Sequence, residues 1–218
     1  MQAPVLHIAQ GQRYWLTTQR CIYWEDTRSL ILADLHFGKT GHFRKHGIPV
    51  PQKSFREDLQ RLLSVASHFQ PQRLIIVGDL FHSAVNREME LFLRWRDALP
   101  CQELVLVQGN HDILHPSWYQ EAGITLYRQS WQWQQTEFIH DTGDAPLLPG
   151  YFRFSGHLHP GVQISGAGKQ SLQFPCYYFS ETGCFLPAFS RFSGMAIIRK
   201  KKKETVYAIV NQSLIPLV

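Results

Sequence analysis

The sequence predicts an α/β fold in which two β-sheets pack together with helices outside. Two observations lead to this prediction. Short apolar segments alternate with amphipathic segments of helical spacing as far as about residue 125. Beyond Ile124 the segments are all strand-like and are broken by glycine and proline. Alternating strands and helices favour parallel pairing, and the late run of strands favours a second sheet packed on the first.

The predicted elements follow the chain. Residues 5–25 contain two or three short strands with aromatic side chains. Residues 53–69 have the spacing of an amphipathic helix packed on a sheet, with an apolar face made of Phe55, Leu59, Leu62, Leu63 and Ala66. Residues 86–99 repeat this spacing less cleanly, and Asn86 is a suitable N-cap. Residues 40–52, which include Arg44 and Lys45, are typical of a surface loop.

The composition is that of a soluble globular protein with a sizeable core. Of 218 residues, 44% are hydrophobic and 18% are charged, so we expect a single domain over residues 1–218. No apolar stretch approaches the ~20 residues of a membrane span, and no basic-then-apolar leader opens the chain. A cytoplasmic location without a membrane partner is therefore expected. The four cysteines show no close pair of the metal-binding kind and are expected to be reduced.

Polar side chains follow five of the strand-like segments, directly past the point where each segment ends. In chain order they are Asp34 and His36, Asp79 and His82, Asn110 to Asp112, His140 and Asp141, and His157 and His159. We call each of these polar segments directly past the end of a strand a strand tip. A single strand tip of this composition is typical of an ordinary turn. Five in succession favour a common site, because α/β sheets bind ligands beyond the carboxyl ends of their strands. Imidazole, carboxylate and amide groups are ligands for manganese, iron or zinc.

Taken in order, these blocks resemble the calcineurin-like metallophosphoesterases. The blocks are Asp34-x-His36, Gly78-Asp79-x-x-His82, Gly109-Asn110-His111-Asp112, His140, and Gly156-His157-x-His159. Within that superfamily, the short form with residues 34–39, 78–83 and 186–189 is most similar to the ligase-associated DNA damage response endonucleases. The resemblance implies a four-layer sandwich, in which two mixed sheets are flanked by helices.

The resemblance also implies a role for each residue. One metal would be held by Asp34, His36 and His159, the other by Asn110, His140 and His157, with Asp79 bridging. Alternate residues of an extended chain share a face, so Asp-x-His and His-x-His can each direct two ligands to one side. A bridging carboxylate suits the ~3.5–4 Å separation of two-metal sites. The cofactor would be two divalent ions, manganese first, with iron or zinc as alternatives.

Four further residues receive roles from the same resemblance. His111 would protonate the leaving oxygen, oriented by Asp112. His82 is expected to position substrate or support a ligand, with a purely structural histidine as the alternative. Arg191 is a candidate substrate contact. Asp141 stands where many superfamily members have glycine, which leaves the geometry at His140 open.

The implied function is hydrolysis of phosphodiester bonds by a hydroxide that bridges the metals, as in a DNA endonuclease linked to DNA repair, with a DNA ligase and a helicase as associates. The net charge of +5 agrees with an anionic partner. The basic run, residues 199–203, is typical of a solvated hairpin turn at a sheet edge, and a phosphate-contacting patch is the alternative. A hydrolase of small nucleotides or phosphoesters, or a non-catalytic scaffold of the same fold, remains open.

Overall fold

The computed structural model describes residues 2–38, 53–82, 87–143, 145–166 and 170–217. Residues 40–52, the basic loop of the sequence analysis, and Asn86, the expected N-cap, lie outside these ranges. In the described part of the chain the strands form two mixed sheets, of seven and nine strands. The predicted class, two β-sheets with helices, is confirmed.

The seven-stranded sheet contains the first half of the chain in sequence order. Its strands are β1 (Val5–Ala9), β2 (Gln12–Leu16), β3 (Ile22–Trp24), β4 (Ser29–Leu32), β5 (Arg73–Val77), β6 (Glu103–Val107) and β7 (Ile124–Tyr127). A short 3₁₀ turn, Glu25–Thr27, precedes β4. Strands β1 to β4 pair antiparallel, whereas β4 to β7 pair parallel. The parallel strands therefore end at a common carboxyl edge.

The helices are α1 (Lys53–Phe69), α2 (Arg87–Ala98) and α3 (Pro116–Glu121). They connect the parallel strands, and their apolar side chains pack on one face of the seven-stranded sheet. This core includes Leu62, Val65, Phe92, Trp95 and Tyr119 together with Leu30, Leu74 and Leu104 of the sheet. The helix predicted over residues 53–69 is thus confirmed. No helix in the described ranges has both the length and the apolarity that a bilayer span requires.

The nine-stranded sheet contains the second half of the chain. Its strands are β8 (Ser130–Trp133), β9 (Thr136–Ile139), β10 (Phe152–Ser155), β11 (Pro160–Ser165), β12 (Ser171–Phe179), β13 (Gly183–Phe185), β14 (Ala196–Ile197), β15 (Thr205–Val210) and β16 (Ser213–Leu217). Strand β10 pairs parallel with both β9 and β13. The carboxyl ends of β9 and β10 therefore lie side by side, as those of β4 to β7 do in the first sheet.

The two sheets pack face to face through a second core rich in aromatic side chains. Tyr14, Trp24, Phe138, Phe154 and Tyr177 are all fully buried there. The nine-stranded sheet also has an outer face, directed away from the seven-stranded sheet. A small cluster covers part of that face with the sheet's own side chains, among them Val162, Cys176, Val206 and Ala208.

The basic run, residues 199–203, lies in the exposed connection between β14 and β15. The prediction of a hairpin turn at this position was wrong, because β14 pairs with β11 whereas β15 pairs with β12 and β16. The connection is closed locally by Glu204, whose carboxylate accepts the Lys201 amide at 2.7 Å. Lys203 forms an exposed ion pair with Glu181 at 3.2 Å. The run is therefore a solvated crossing between strands that do not pair with each other.

Candidate metal centre

The strand tips singled out in the sequence meet where the two sheets adjoin. Asp34 and His36 follow β4, Asp79 follows β5, Asn110 and His111 follow β6, His140 follows β9, and His157 and His159 follow β10. Because β4, β5 and β6 are parallel neighbours, and so are β9 and β10, these tips lie at adjoining carboxyl edges. Within the described residues, two compact sets of potential metal ligands lie here.

The first set is Asp34, His36 and His159, whose ligand atoms lie within 4.8 Å of one another. His159 Nε2 is 3.3 Å from Asp34 Oδ1. On the other side of the ring, His159 Nδ1 lies 3.2 Å from the Gly194 carbonyl, to which it can donate a hydrogen bond. Such a bond fixes the tautomer and leaves the Nε2 lone pair directed toward Asp34.

The second set is Asp34, Asp79 and His140, again within 4.8 Å. His140 Nδ1 lies 3.1 Å from the Val77 carbonyl, and its Nε2 lies 3.5 Å from Asp79 Oδ1. The same nitrogen is 3.1 Å from Asn110 Oδ1. When His140 Nδ1 donates to the Val77 carbonyl, the lone pair of Nε2 points into the space that Asp79 Oδ1 and Asn110 Oδ1 also face. The amide of Asn110 therefore belongs with this set.

Asp79 lies between the two sets. Its Oδ2 is 3.7 Å from His36 Nδ1 of the first set, while its Oδ1 is the oxygen nearest His140 of the second. Oδ1 also accepts the backbone N–H of His111 at 3.0 Å. Asp34 is common to both sets as well. The expectation named Asp79 alone as the shared acid, and the structure brings a second carboxylate into that position.

Left-handed backbone is concentrated in these residues. Positive φ angles occur at Asp34 (57°), His36 (50°), Asp79 (52°), His157 (59°) and His159 (47°). Each such conformation costs on the order of 1–3 kcal/mol in a non-glycine residue and persists only where the surroundings impose it. Hydrogen bonds between tips do so here, since Asp34 N–H donates to the Gly78 carbonyl at 3.1 Å and His36 N–H to the Asp79 carbonyl at 2.8 Å. The strained backbone therefore directs the candidate metal-binding side chains toward the centre of the site.

Two motif glycines make room for the ligands. A Cβ atom at Gly78 would lie 2.0 Å from His140 Nδ1, and one at Gly109 would lie 2.2 Å from Asp79 Oδ1 and 2.3 Å from its backbone nitrogen. Gly78 also has a φ of 82°. A side chain at either position would displace a ligand of the second set. The glycines that precede Asp79 and Asn110 in the sequence are thus steric requirements of the site.

His111 and His82 line the open side of the centre. The His111 side chain is 40% exposed, and its Nε2 is 4.0 Å from Asp79 Oδ2, which is itself buried. The His82 ring lies with its centroid 4.2 Å from that of His111 and 5.5 Å from that of His36. His111 is therefore both accessible from solvent and adjacent to the shared carboxylate. A proton on its ring can be offered to a molecule that enters the site.

Asp112 has a different role from the one expected. Its Oδ1 accepts the Phe81 amide at 3.0 Å, and its Oδ2 accepts the Gly109 amide at 2.9 Å. Within the described residues, no hydrogen bond joins this carboxylate to the His111 ring, which Asp112 was expected to orient. Burial raises the pKa of Asp112 to about 7, although the two amides act to lower it. The carboxyl group therefore fastens the loop that carries His111 to the loop after β5.

His157 lies apart from both compact sets in the described structure. Its ring centroid is 5.1 Å from that of His140, and its side chain is 46% exposed, with Nε2 3.7 Å from Asp141 Oδ2. Asp141 Oδ1 also accepts the Gly143 amide at 3.0 Å. The His157 backbone N–H donates to Asp34 Oδ2 at 3.1 Å. The residue thus borders the centre, and Asp141 faces it from outside.

Arg191 is exposed at the end of a loop that charged side chains hold in place. Arg61 pairs with Asp58 at 2.8 Å, both side chains being buried, and donates to the Phe189 carbonyl. Arg20 donates to the Ala188 and Ser190 carbonyls at 3.1 and 2.7 Å. Burial raises the pKa of Asp58 and lowers that of Arg20 to about 10. The Ser190 backbone N–H in turn donates to the Asp34 carbonyl at 3.1 Å. This bond holds the loop against the backbone of a residue that belongs to both candidate metal-binding sets.

The chemistry of the donors fits a pair of divalent cations. Imidazole nitrogens, carboxylate oxygens and one amide oxygen are suitable for manganese, iron or zinc. Two buried carboxylates in one site also need compensating positive charge, because burying like charges together is costly. The cysteines are free thiols and belong to neither set. The residues present are therefore able to hold two cations that share carboxylate ligands.

Fold and site together define a metal-dependent phosphoesterase. The chain belongs to the calcineurin-like phosphoesterase family, whose sequence model matches residues 27–190. That family uses a dinuclear metal site, in agreement with the two sets. The expected superfamily membership and the expected enzyme class are thus confirmed.

Comparison with the solved structure of a nuclease supports the fold. Nuclease MPE of Pseudomonas putida superimposes with a TM-score of 0.81 at 24% identity, covering 98% of this chain and 100% of that one. A protein of unknown function from Aquifex aeolicus, AQ665, aligns with a TM-score of 0.43 at 18% identity, covering 60% of this chain and 78% of that one. No curated protein sequence matches the chain significantly.

Proposed function

We propose that this phosphoesterase is a nuclease that hydrolyses phosphodiester bonds of DNA with two divalent cations, manganese in the first place and iron or zinc as alternatives. The observation that carries the proposal is the pair of ligand sets sharing Asp34, beside the accessible ring of His111. The likeness in fold to nuclease MPE of Pseudomonas putida supports a nucleic acid as the substrate. So do the net charge of +5 and the resemblance to ligase-associated endonucleases.

In this proposal one cation would be held by Asp34, His36 and His159, the other by Asn110, His140 and His157, with Asp79 shared between them. Bound cations of this kind supply an activated water at neutral pH and neutralise phosphate charge. His111 donates a proton to the leaving oxygen, since its ring faces solvent beside Asp79. Asp112 acts on His111 through the backbone of the loop, and His82 and Arg191 contact substrate.

A biological role in DNA repair, with a DNA ligase and a helicase as associates, is the further part of the proposal and rests on the resemblance of residues 34–39, 78–83 and 186–189 to that endonuclease group. A non-catalytic scaffold is disfavoured, because such proteins can lose motif side chains and this chain has a competent donor at every motif position.

The proposal is tested with metal-free protein reconstituted with manganese. We expect turnover of bis(p-nitrophenyl) phosphate and of DNA oligonucleotides, and much weaker turnover of p-nitrophenyl phosphate. The Asp79→Asn variant, loaded in the same way, controls for contaminating nucleases. Efficient hydrolysis of a free nucleotide or the monoester, with intact DNA, would instead identify a small-molecule phosphoesterase.

Binding of DNA should depend strongly on salt if basic residues contact backbone phosphates. Lys200, Lys201 and Lys202 are exposed, whereas Lys203 is paired with Glu181. Each phosphate contact contributes a log–log slope of about −0.7 to −0.9, because counterions are released. We expect the triple Lys→Gln variant at positions 200–202 to have a shallower slope and unchanged turnover of the small diester. A salt titration with labelled single- and double-stranded DNA measures this, with calcium in place of manganese to suppress cleavage. Identical slopes for the two proteins would assign the run to solvation alone.

A further inference from the structure

The fourth parallel strand also ends in a polar tip. Strand β7 pairs parallel with β6 and ends at Tyr127, so Arg128 and Gln129 leave the sheet at the edge where the ligands lie. The tips of β6 and β7 are linked, because the Gln108 amide donates to the Tyr127 carbonyl at 2.7 Å. Arg128 therefore stands one strand beyond Asn110 in the series that provides the metal centre.

A cleft of about 410 Å³ lies between these tips. Its lining includes Asn110 and His140 of the second ligand set, together with Arg128 and Gln129. Residues 128 and 129 form the link between β7 of one sheet and β8 of the other, so the cleft follows the line where the sheets adjoin. Its volume is within the range of roughly 300–1,000 Å³ for sites that bind small ligands.

The charged groups of this cleft suit a phosphate. Arg128 is exposed, and a guanidinium offers a planar set of donors that matches phosphate oxygens. The acid of the cleft, Asp141, faces His157 at 3.7 Å and accepts the Gly143 amide. The carboxylate of Asp141 therefore has partners of its own beside the cleft.

We propose that Arg128 binds a second phosphate of a polynucleotide, next to the one that is hydrolysed, and so selects a polymer over a substrate with a single phosphate. The inference rests on the proposed nuclease function and names the part of the site that recognises the neighbouring nucleotide. A substrate phosphate at the ligand sets leaves the adjoining phosphate on the chain near Asn110 and His140, and Arg128 lines the same cleft as these two residues.

The test compares wild type with Arg128→Gln, Arg128→Lys and, as a matched control, Arg94→Gln, which removes an exposed arginine from α2. Each manganese-loaded protein receives bis(p-nitrophenyl) phosphate, a dinucleoside monophosphate and an eight-nucleotide single strand. For the octanucleotide we expect Arg128→Gln to raise KM about 10- to 100-fold, as loss of a charged hydrogen bond does, with kcat and metal content unchanged. Lysine should restore part of the effect. The two one-phosphate substrates and Arg94→Gln should behave as wild type.

The outcomes separate the two proposals. If wild type cleaves the octanucleotide and Arg128→Gln has the same KM, or if KM rises equally for the one-phosphate substrates, the assignment of Arg128 is overturned while the nuclease function stands. If wild type hydrolyses the small diester but leaves the octanucleotide intact, the nuclease function fails and the inference with it.

Discussion

Replacement of Asp79 by asparagine is expected to lower turnover by at least about three orders of magnitude, because a two-metal site contributes several kcal/mol of charge stabilisation. Its two oxygens face different ligand sets, at 3.7 Å from His36 and 3.5 Å from His140. Asparagine tolerates the left-handed backbone at this position, where φ is 52°, so the variant changes charge more than conformation. Metal content by elemental analysis and turnover of bis(p-nitrophenyl) phosphate are the two measurements.

Asp97→Asn is the matched control, since Asp97 is an exposed acid on α2. It should retain both cations and full turnover. Circular dichroism establishes that Asp79→Asn is folded. Full metal occupancy together with wild-type turnover in the Asp79 variant would show that the carboxylate shared between the sets is dispensable, and would remove the basis of the two-cation assignment.

His111→Ala is expected to lose turnover by about 10²–10⁴-fold, the usual contribution of a positioned general acid. The loss should be greatest for alkyl esters and smallest for p-nitrophenyl esters, because a basic leaving oxygen depends most on protonation. Metal content should not change. The contact that His111 makes with Asp79 Oδ1 is donated by its backbone amide, which alanine keeps.

His68→Ala serves as the comparison here, because His68 is an exposed histidine in α1 that belongs to none of the motifs. Rates are measured for a series of phosphodiesters that differ only in the pKa of the leaving alcohol. A slope that is the same in wild type and in His111→Ala would mean that His111 does not protonate the leaving group.

The strand ends that carry the candidate ligand residues could be predicted from sequence, because strand ends are marked locally. An apolar run followed by glycine and then Asp or Asn, as in Gly78-Asp79 and Gly109-Asn110, identifies both a buried strand and its carboxyl end. Parallel pairing then brings such ends to one edge without any knowledge of side-chain contacts. The bounds of α1 could be predicted because the amphipathic spacing of residues 53–69 is also a local feature of the sequence.

Side-chain contacts between residues that are far apart in the sequence could not be predicted from local patterns. Arg20, Asp58 and Arg61 meet the loop after β13 across separations of up to 170 positions, and nothing in their local sequence marks them. Asp112 was assigned to its chain neighbour His111, whereas burial turned it toward Phe81. The position of Arg128 is marked in the sequence, because the strand-like residues 124–127 precede it. The sequence analysis assigns the chain beyond Ile124 to the second sheet, whereas residues 124–127 are the last strand of the first sheet.

Both ligand sets combine residues from the two sheets, and this has a consequence for how the protein acquires its activity during folding. Asp34, His36 and Asp79 come from the seven-stranded sheet, whereas His140 and His159 come from the other. The bond from His157 to Asp34 spans 123 positions. Such non-local contacts form late, because the entropy of closing a long loop must be overcome first. We therefore expect cation binding to be among the last properties to appear, and a nascent chain in which the second sheet has not yet docked to lack a competent phosphoesterase centre.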